Sequence, residues 1–337
     1  MVVFTSLGMF IIDENVYETA PGQPLRAPEY NIVGGGGSYA VVGAAMISAN
    51  LASQVSGIID QGKDFPPPVR RELDSWGTAL VFRTDPERLT TRGRNTYDRY
   101  GTRHFDYLTP KKRIELADLH QLPSLLHSKC FHVICSVDRC QELVDGIRAV
   151  NCDSQFIFEP LPTDCVASRW EKLHQLLPHI DVFTPNLEEA CSLMGMSVVP
   201  TDVSAIESLA RRYVDLGAVI CVLRCGALGC VVATATNTTH LPAYHQDQAG
   251  VVDVTGGGNS FCGGFMMGLY ISRNPVAAAI CGNLVSGCVI EALGMPQVEA
   301  RKWNGRTMAE RWEQYVSNAA VAQVAVAADV DMGWIGV

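Results

Sequence analysis

Along most of this chain, short runs rich in apolar and β-branched residues alternate with stretches whose apolar positions recur at helical spacing. The strand-like runs fall at residues 2–12, 55–59, 79–83, 130–136, 155–159, 182–184 and 218–223, and the helix-like stretches at 39–51, 67–76, 141–150, 168–177 and 206–216. Alternation of this kind predicts a mainly parallel sheet covered by helices on both faces. Two segments break the rhythm: 13–33, rich in Pro and Gly, and 86–109, polar and rich in Arg, Thr and Tyr. Long insertions in compact domains commonly cover active sites, so both are expected to form a small β-rich lid over one edge of the sheet. No linker or internal repeat divides the chain. Residues 1–300 are therefore expected as one α/β domain carrying the lid, and 301–337 as a C-terminal helix and tail.

Charge narrows the function. The 337 residues hold 35 Asp and Glu against 26 Lys and Arg, a formal net charge of −9. Without a basic stripe, that balance argues against nucleic acid as the main partner. Residues 2–12 lack a preceding basic region and run straight into Asp13 and Glu14, so they read as a first strand rather than a signal peptide. No stretch has the length of an uncharged membrane span, and a cytoplasmic protein with a small-molecule ligand is the expectation. The 12 cysteines, none in a Cys-x-x-Cys pair, then read as reduced thiols packed as small hydrophobes.

The sharpest chemical signal is Asp253-Val254-Thr255-Gly256-Gly257-Gly258-Asn259-Ser260-Phe261, followed by Cys262-Gly263-Gly264-Phe265 and an apolar helical run. Successive glycines at a helix start let backbone N–H groups approach a ligand closely, and with the helix dipole they form an anion site. A Gly-rich turn without a ligand is the plainer alternative.

This run resembles the signature of the PfkB or ribokinase family, Asp-Thr-x-Gly-Ala-Gly-Asp-x-Phe before a pair of small residues. Gly257 stands where that pattern has Ala, and Asn259 where it has the Asp that serves as catalytic base. Other landmarks follow in order. Ile11-Ile12-Asp13 looks like a first strand ending in the Asp that binds substrate hydroxyls. Gly34-Gly35-Gly36-Gly37-Ser38-Tyr39 resembles the Gly-Gly-x-Gly-x-Asn substrate loop, with Tyr39 in place of Asn. Thr184-Pro185-Asn186-Leu187-Glu188-Glu189 matches a Pro-Asn-x-x-Glu element, and Arg224-Cys225-Gly226-Ala227-Leu228-Gly229 a Gly-x-x-Gly turn, with Arg224 where Thr is frequent.

The resemblance spans residues 3–295 and implies a ribokinase-like three-layer α/β/α fold with a central, mostly parallel sheet. It implies ATP, with its phosphates on Gly256, Gly257 and Gly258, and Mg2+ near Glu189. Asn186, Arg224, Gly226, Gly229, Thr255 and Asn283 would serve the nucleotide, and Asp13, Gly35, Gly36, Tyr39 and Arg92 the acceptor. Within the family, the run Gly34–Ala40, Thr90-Thr91-Arg92-Gly93 and the Gly-Gly-Gly-Asn-Ser string look most like a fungal offshoot typified by the yeast killer-maintenance protein. A lid of this kind could also carry a homodimer contact.

The departures bear on chemistry. Asn259 can orient a hydroxyl but cannot take its proton. Loss of general-base help is typically worth ~10²–10⁴-fold, which would cripple turnover without abolishing binding. Phosphoryl transfer rests mainly on positioning and electrostatics, so a slow kinase remains open. Tyr39 would either offer an aromatic face to a flat acceptor or pack into the helix it opens. Arg92, with Arg94, Arg103 and His104 behind it, could reach an anionic group on the ligand. Glu159, after the run 155–158, could support Mg2+ through water or make a structural ion pair. The leading expectation is an ATP-dependent phosphotransferase acting on a hydroxyl of a sugar, nucleoside or aromatic alcohol, with lowered or altered activity. A nucleotide-binding pseudokinase and a repurposed non-kinase enzyme using the anion hole are the alternatives.

Overall fold

The protein is described by a computed structural model covering residues 1–100 and 102–336. In chain order its principal strands are β1 (Phe4–Ser6), β2 (Ile11–Ala20), β3 (Gln23–Gly34), β4 (Val55–Gly62), β5 (Val81–Asp85), β6 (Arg92–Tyr97), β7 (Arg103–Tyr107), β8 (Cys130–Cys135), β9 (Gln155–Pro160), β10 (Val182–Phe183), β11 (Ile220–Arg224), β12 (Cys230–Thr234) and β13 (Thr238–Leu241). Nine of them form the central sheet in the order β13-β12-β11-β10-β9-β8-β1-β4-β5. Its neighbours are parallel except for β11–β12 and β12–β13. Strands such as β8 are apolar along nearly their whole length, as a parallel sheet covered on both faces requires.

One face packs against the helices Gly36–Ile47, Gly257–Ser272 and Pro275–Val289, the other against Val137–Arg148, Trp170–Leu176 and Val203–Asp215. Gly36–Ile47 and Gly257–Ser272 meet backbone to backbone: a Cβ on Gly43 would lie 2.2 Å from the Ser260 carbonyl oxygen, and one on Gly263 1.9 Å from that of Ala40. This close approach fixes the glycine run beside the loop that opens Gly36–Ile47. The chain leaves β1 for β4 and β5 on one side, then returns to β8 and proceeds outward on the other. That reversal puts a crevice at the carboxyl ends of β1 and β8, the usual place for a ligand in an open α/β sheet.

The expected lid is a separate four-stranded sheet in the order β3-β2-β6-β7. Burial alternates along β2 and β6, so one face of the lid looks inward and the other outward. Residues 2–12, expected as one strand, are two. β1 ends at Ser6, the chain turns through Gly8, and Ile11 begins a lid strand. Asp13 therefore lies within the lid, not at the end of the first core strand. The reason is local, since Gly8 packs against Gly37 where a Cβ would fall 2.6 Å from its nitrogen.

The tail is more than an appendage. Helices Met308–Val316 and Ala319–Ala327 follow β13 and Pro275–Val289 into the main core, with Trp303, Tyr315, Val321 and Ile335 buried there. The cysteines are free thiols, all buried except Cys152. No helix among the described residues is long and apolar enough to cross a membrane.

Candidate active site

Thr255 closes the approach to the glycine run by donating its N–H to Asp253 Oδ1 (3.0 Å), while its hydroxyl lies 3.2 Å from the Tyr97 hydroxyl of the lid. Gly256 then turns left-handed (φ 78°) and caps the helix Gly257–Ser272. Two constraints demand glycine there, because a Cβ would also lie 2.2 Å from carbons of the Tyr39 ring. Gly256→Ala is expected to lower unfolding free energy by about 3 kcal/mol, from backbone strain and overpacking together. Denaturant unfolding reads this, and recovery on adding Tyr39→Ala would assign the cost to the ring.

On one side of the run lies a cleft of about 550 Å³, walled by Asn186, Arg224, Gly226, Gly229, Gly258 and Asn283 among others. Asn186 caps the helix Leu187–Leu193 in a reciprocal box: its Oδ1 accepts from Glu189 N (2.7 Å), and its own N–H donates to Glu189 Oε2 (2.8 Å). Asn283 is tied down by donating to the Tyr315 hydroxyl (2.8 Å) and the Pro242 carbonyl (3.1 Å). Tyr315, from the helix Met308–Val316, thus braces this wall.

On the other side stand Gly35, Gly36, Asp13, Tyr39 and Asn259. Gly35 (φ 88°) precedes the helix Gly36–Ile47, and a Cβ on Gly36 would come within 3.1 Å of Asn259 Nδ2. Tyr39 is buried beneath Gly256, so its ring packs rather than presenting an open aromatic face. Asp13 is buried, and its Oδ1 has no hydrogen-bond partner among the described residues. Burial pushes its carboxyl up to about 6, against the lowering influence of Arg103 and Asn95.

Strand parity sorts the lid cations. β2 and β6 pair Asp13 with Gly93, Asn15 with Asn95 and Tyr17 with Tyr97, all on the inner face. Arg92 and Arg94 fall between these positions and point outward: Arg92 Nε donates to Asp64 Oδ2 (2.7 Å), and Arg94 pairs with Glu14. Arg92 is thereby held away from the acceptor side, correcting its expected role. Arg103 lies opposite Tyr97 and donates to Asn95 Oδ1 (2.8 Å), which makes it the arginine nearest Asp13 in influence.

Beneath Asn259 is a buried polar cluster that no sequence motif announced. Asn259 Nδ2 donates to Glu159 Oε2 at 2.7 Å, which leaves its Oδ1 as the atom free to accept a hydroxyl. Glu159 also takes Arg224 Nη1 at 2.7 Å on Oε1, with His132 Nε2 at 3.2 Å and Cys262 Sγ at 3.7 Å from Oε2. An ionised carboxylate only accepts, so His132 Nε2 carries a proton, and Ser6 Oγ, 2.9 Å from Nδ1, completes the chain. Burial alone would raise the Glu159 carboxyl, but the Arg224 charge, helped by His132 and Asn259, holds it at about 2. His132, Glu159 and Cys262 bring ligand-type atoms within 4.8 Å of one another. Burial keeps the Cys262 thiol protonated, so these groups form a hydrogen-bond network.

Glu189, the expected Mg2+ residue, is also claimed by protein groups. Besides the Asn186 N–H, its Oε2 has Arg224 Nη2 at 3.6 Å. Burial raises its carboxyl, partly offset by Arg224. A guanidinium thus stands between the two acids nearest the glycine run, and these residues do not fit a resident divalent cation.

A glycine-opened helix on one face of a mostly parallel α/β sheet, with a separate four-stranded lid, is the architecture of the ribokinase fold. The match to the pfkB family carbohydrate kinase model over residues 77–298 makes the chain a member of that family. Protein MAK32 of Saccharomyces cerevisiae is 36% identical over 93% of this chain and 92% of its own length. A Schizosaccharomyces pombe protein described as uncharacterized is 32% identical over 93% of this chain and 92% of its own. The chain thus falls in a fungal offshoot of the family. Ribokinase from Thermotoga maritima superposes with a TM-score of 0.68 at 19% identity, covering 94% of this chain and all (100%) of that one. Arabidopsis thaliana ribokinase, complexed with ribose and ATP, gives 0.69 at 15% identity over 93% and 99%.

Proposed function

We propose that this chain is an ATP-dependent phosphotransferase acting on a hydroxyl of a small metabolite, slowed by Asn259 at the base position. The observation that carries this reading is the placement of the Gly256–Gly258 run. The run forms part of the wall of the cleft of about 550 Å³, and Asn259, whose Oδ1 is left to accept, follows it directly beside Gly36 of the glycine loop. Nucleotide in the cleft would lay its phosphates on the N–H groups of the run and its base toward Asn283, across from the acceptor. Asn259 Oδ1 would align the acceptor hydroxyl without removing its proton, and transfer would rest on alignment and on N–H groups facing the developing charge. ATP consumption against sugars, nucleosides and aromatic alcohols tests this. No turnover with any of them, despite ATP binding, would favour a pseudokinase, which the capture of Asn259 by Glu159 also favours.

Asp13 gives this reading a second test. A carboxyl raised from 3.8 to about 6 is destabilising when ionised: the cost is absent below 3.8 and grows as pH rises through 6. Two pKa units correspond to about 3 kcal/mol, so Asp13→Asn is expected to stabilise the free protein by up to that amount at pH 8 and hardly at pH 4. The same substitution should weaken acceptor binding at least tenfold. Unchanged unfolding at pH 8 would mean that Asp13 is solvated in the free protein.

A further inference from the structure

The glycine run has a fixed cation of its own. A Cβ on Gly258 would fall 2.2 Å from Arg224 Nη1, so the guanidinium rests against the third glycine in the wall of the nucleotide cleft. Among the described residues, only the contact to Glu159, at 2.7 Å, is a close hydrogen bond; the approach to Glu189 is 3.6 Å, and Nε has no partner. A guanidinium carries five N–H donors, so most of Arg224's are uncommitted. Glu159, meanwhile, keeps hydrogen bonds from Asn259 and His132 on its other oxygen, so it is not left without donors if Arg224 leans toward the cleft. Burial works against a charged Arg224, but the Glu159 carboxylate outweighs it and keeps the group cationic. A divalent ion brought between Glu159 and Glu189 would therefore meet a permanent positive charge at close range. A planar fork of donors is also well matched to phosphate oxygens.

We propose that Arg224 replaces the divalent metal of this phosphate site, so that the chain binds the polyphosphate of a nucleotide without Mg2+. The proposal rests on the nucleotide-binding reading above for the ligand's base, but not for its phosphates. Two probes keep the two apart: ATP and inorganic tripolyphosphate, titrated calorimetrically with Mg2+ or with EDTA.

For the unaltered protein, ATP affinity is expected to change less than threefold between Mg2+ and EDTA. Arg224→Gln should weaken binding in EDTA at least tenfold. With its two carboxylates released, that variant should also gain tenfold or more from Mg2+. Arg224→Lys keeps the charge and should retain metal-independent binding, which separates charge from mere packing. Because the comparison on the unaltered protein needs no variant, poor folding of Arg224→Gln does not remove the test. A tenfold or larger requirement for Mg2+ in the unaltered protein overturns the proposal, and so does unchanged EDTA binding by a folded Arg224→Gln. Tripolyphosphate binding in EDTA with no added affinity for ATP upholds Arg224 and overturns the nucleotide reading. Failure of both probes under both conditions overturns both.

Discussion

Asn259→Asp alone is expected to leave phosphate transfer within about tenfold of the unaltered protein, well short of the ~10²–10⁴-fold that a restored base would supply. The new carboxylate would take the place of an amide nitrogen 2.7 Å from Glu159 Oε2. Two carboxylates that close cannot both ionise. Glu159 is the one that stays charged, because Arg224 and His132 hold it at about 2. The introduced Asp would keep its proton and donate it to Glu159, reproducing the geometry of the amide without becoming a base. Removing the competing charge should change this. In Asn259→Asp/Glu159→Gln the net charge of the cluster equals that of the unaltered protein, the new carboxylate faces an amide, and Arg224 remains nearby to hold it ionised. Turnover of ATP with the best acceptor should then rise by up to ~10²–10⁴-fold at pH 7.5. A hundredfold rise in the single variant at that pH would show that Glu159 does not control the proton. No rise in the double variant, with acceptor binding intact, would mean that the site has left kinase chemistry behind.

The frame of this site was legible in the sequence because its parts are local. Gly256–Gly258 and the Asn186/Glu189 box each sit within a few consecutive residues, where turn and capping chemistry operate. The alternation of strands and helices likewise gave the mostly parallel sheet, and the two irregular segments the lid. What stayed hidden depends on register and convergence. Along the chain Arg92 is the favoured lid cation and Arg103 stands behind it, yet odd and even positions on β6 and their partners on β7 send Arg92 outward and Arg103 inward. His132, Glu159, Arg224 and Asn259 come from three strands and a helix start, and only the strand order brings them together. Glu159 was ambiguous because an acidic residue at a strand end serves a metal or an arginine equally well. The absence of strands 230–234 and 238–241 from the expected pattern has a similar cause: β12 and β13 run antiparallel at an edge, without intervening helices to mark them.

Glu159 should also govern resistance to acid. Its folded carboxyl lies at about 2 against an ordinary 4.5, so unfolding takes up a proton in that window. A depressed carboxyl contributes stability that is fully present above pH 4.5 and is lost as pH falls through 2. A shift of that size corresponds to about 3 kcal/mol, and burial leaves little solvent screening to discount. Glu159→Gln removes the pH-dependent part outright, so the loss of stability between pH 4.5 and 2 should be shallower by that amount. At pH 7 the same variant should lose about 3–5 kcal/mol, because Arg224 would be left buried with only Glu189 for company. Restoring a charge on the neighbouring side chain, in Asn259→Asp/Glu159→Gln, should recover part of this, since Arg224 would again have a close carboxylate. Guanidinium unfolding at pH 7 and thermal unfolding across pH 2–6 measure the two effects separately. A loss below about 1 kcal/mol at pH 7 in Glu159→Gln would place the ion pair among those whose desolvation cancels their attraction. An acid limb identical to that of the unaltered protein would assign its acid sensitivity to other carboxylates, and Glu291, held at about 2 beside His245 and Arg311, would be the next to examine.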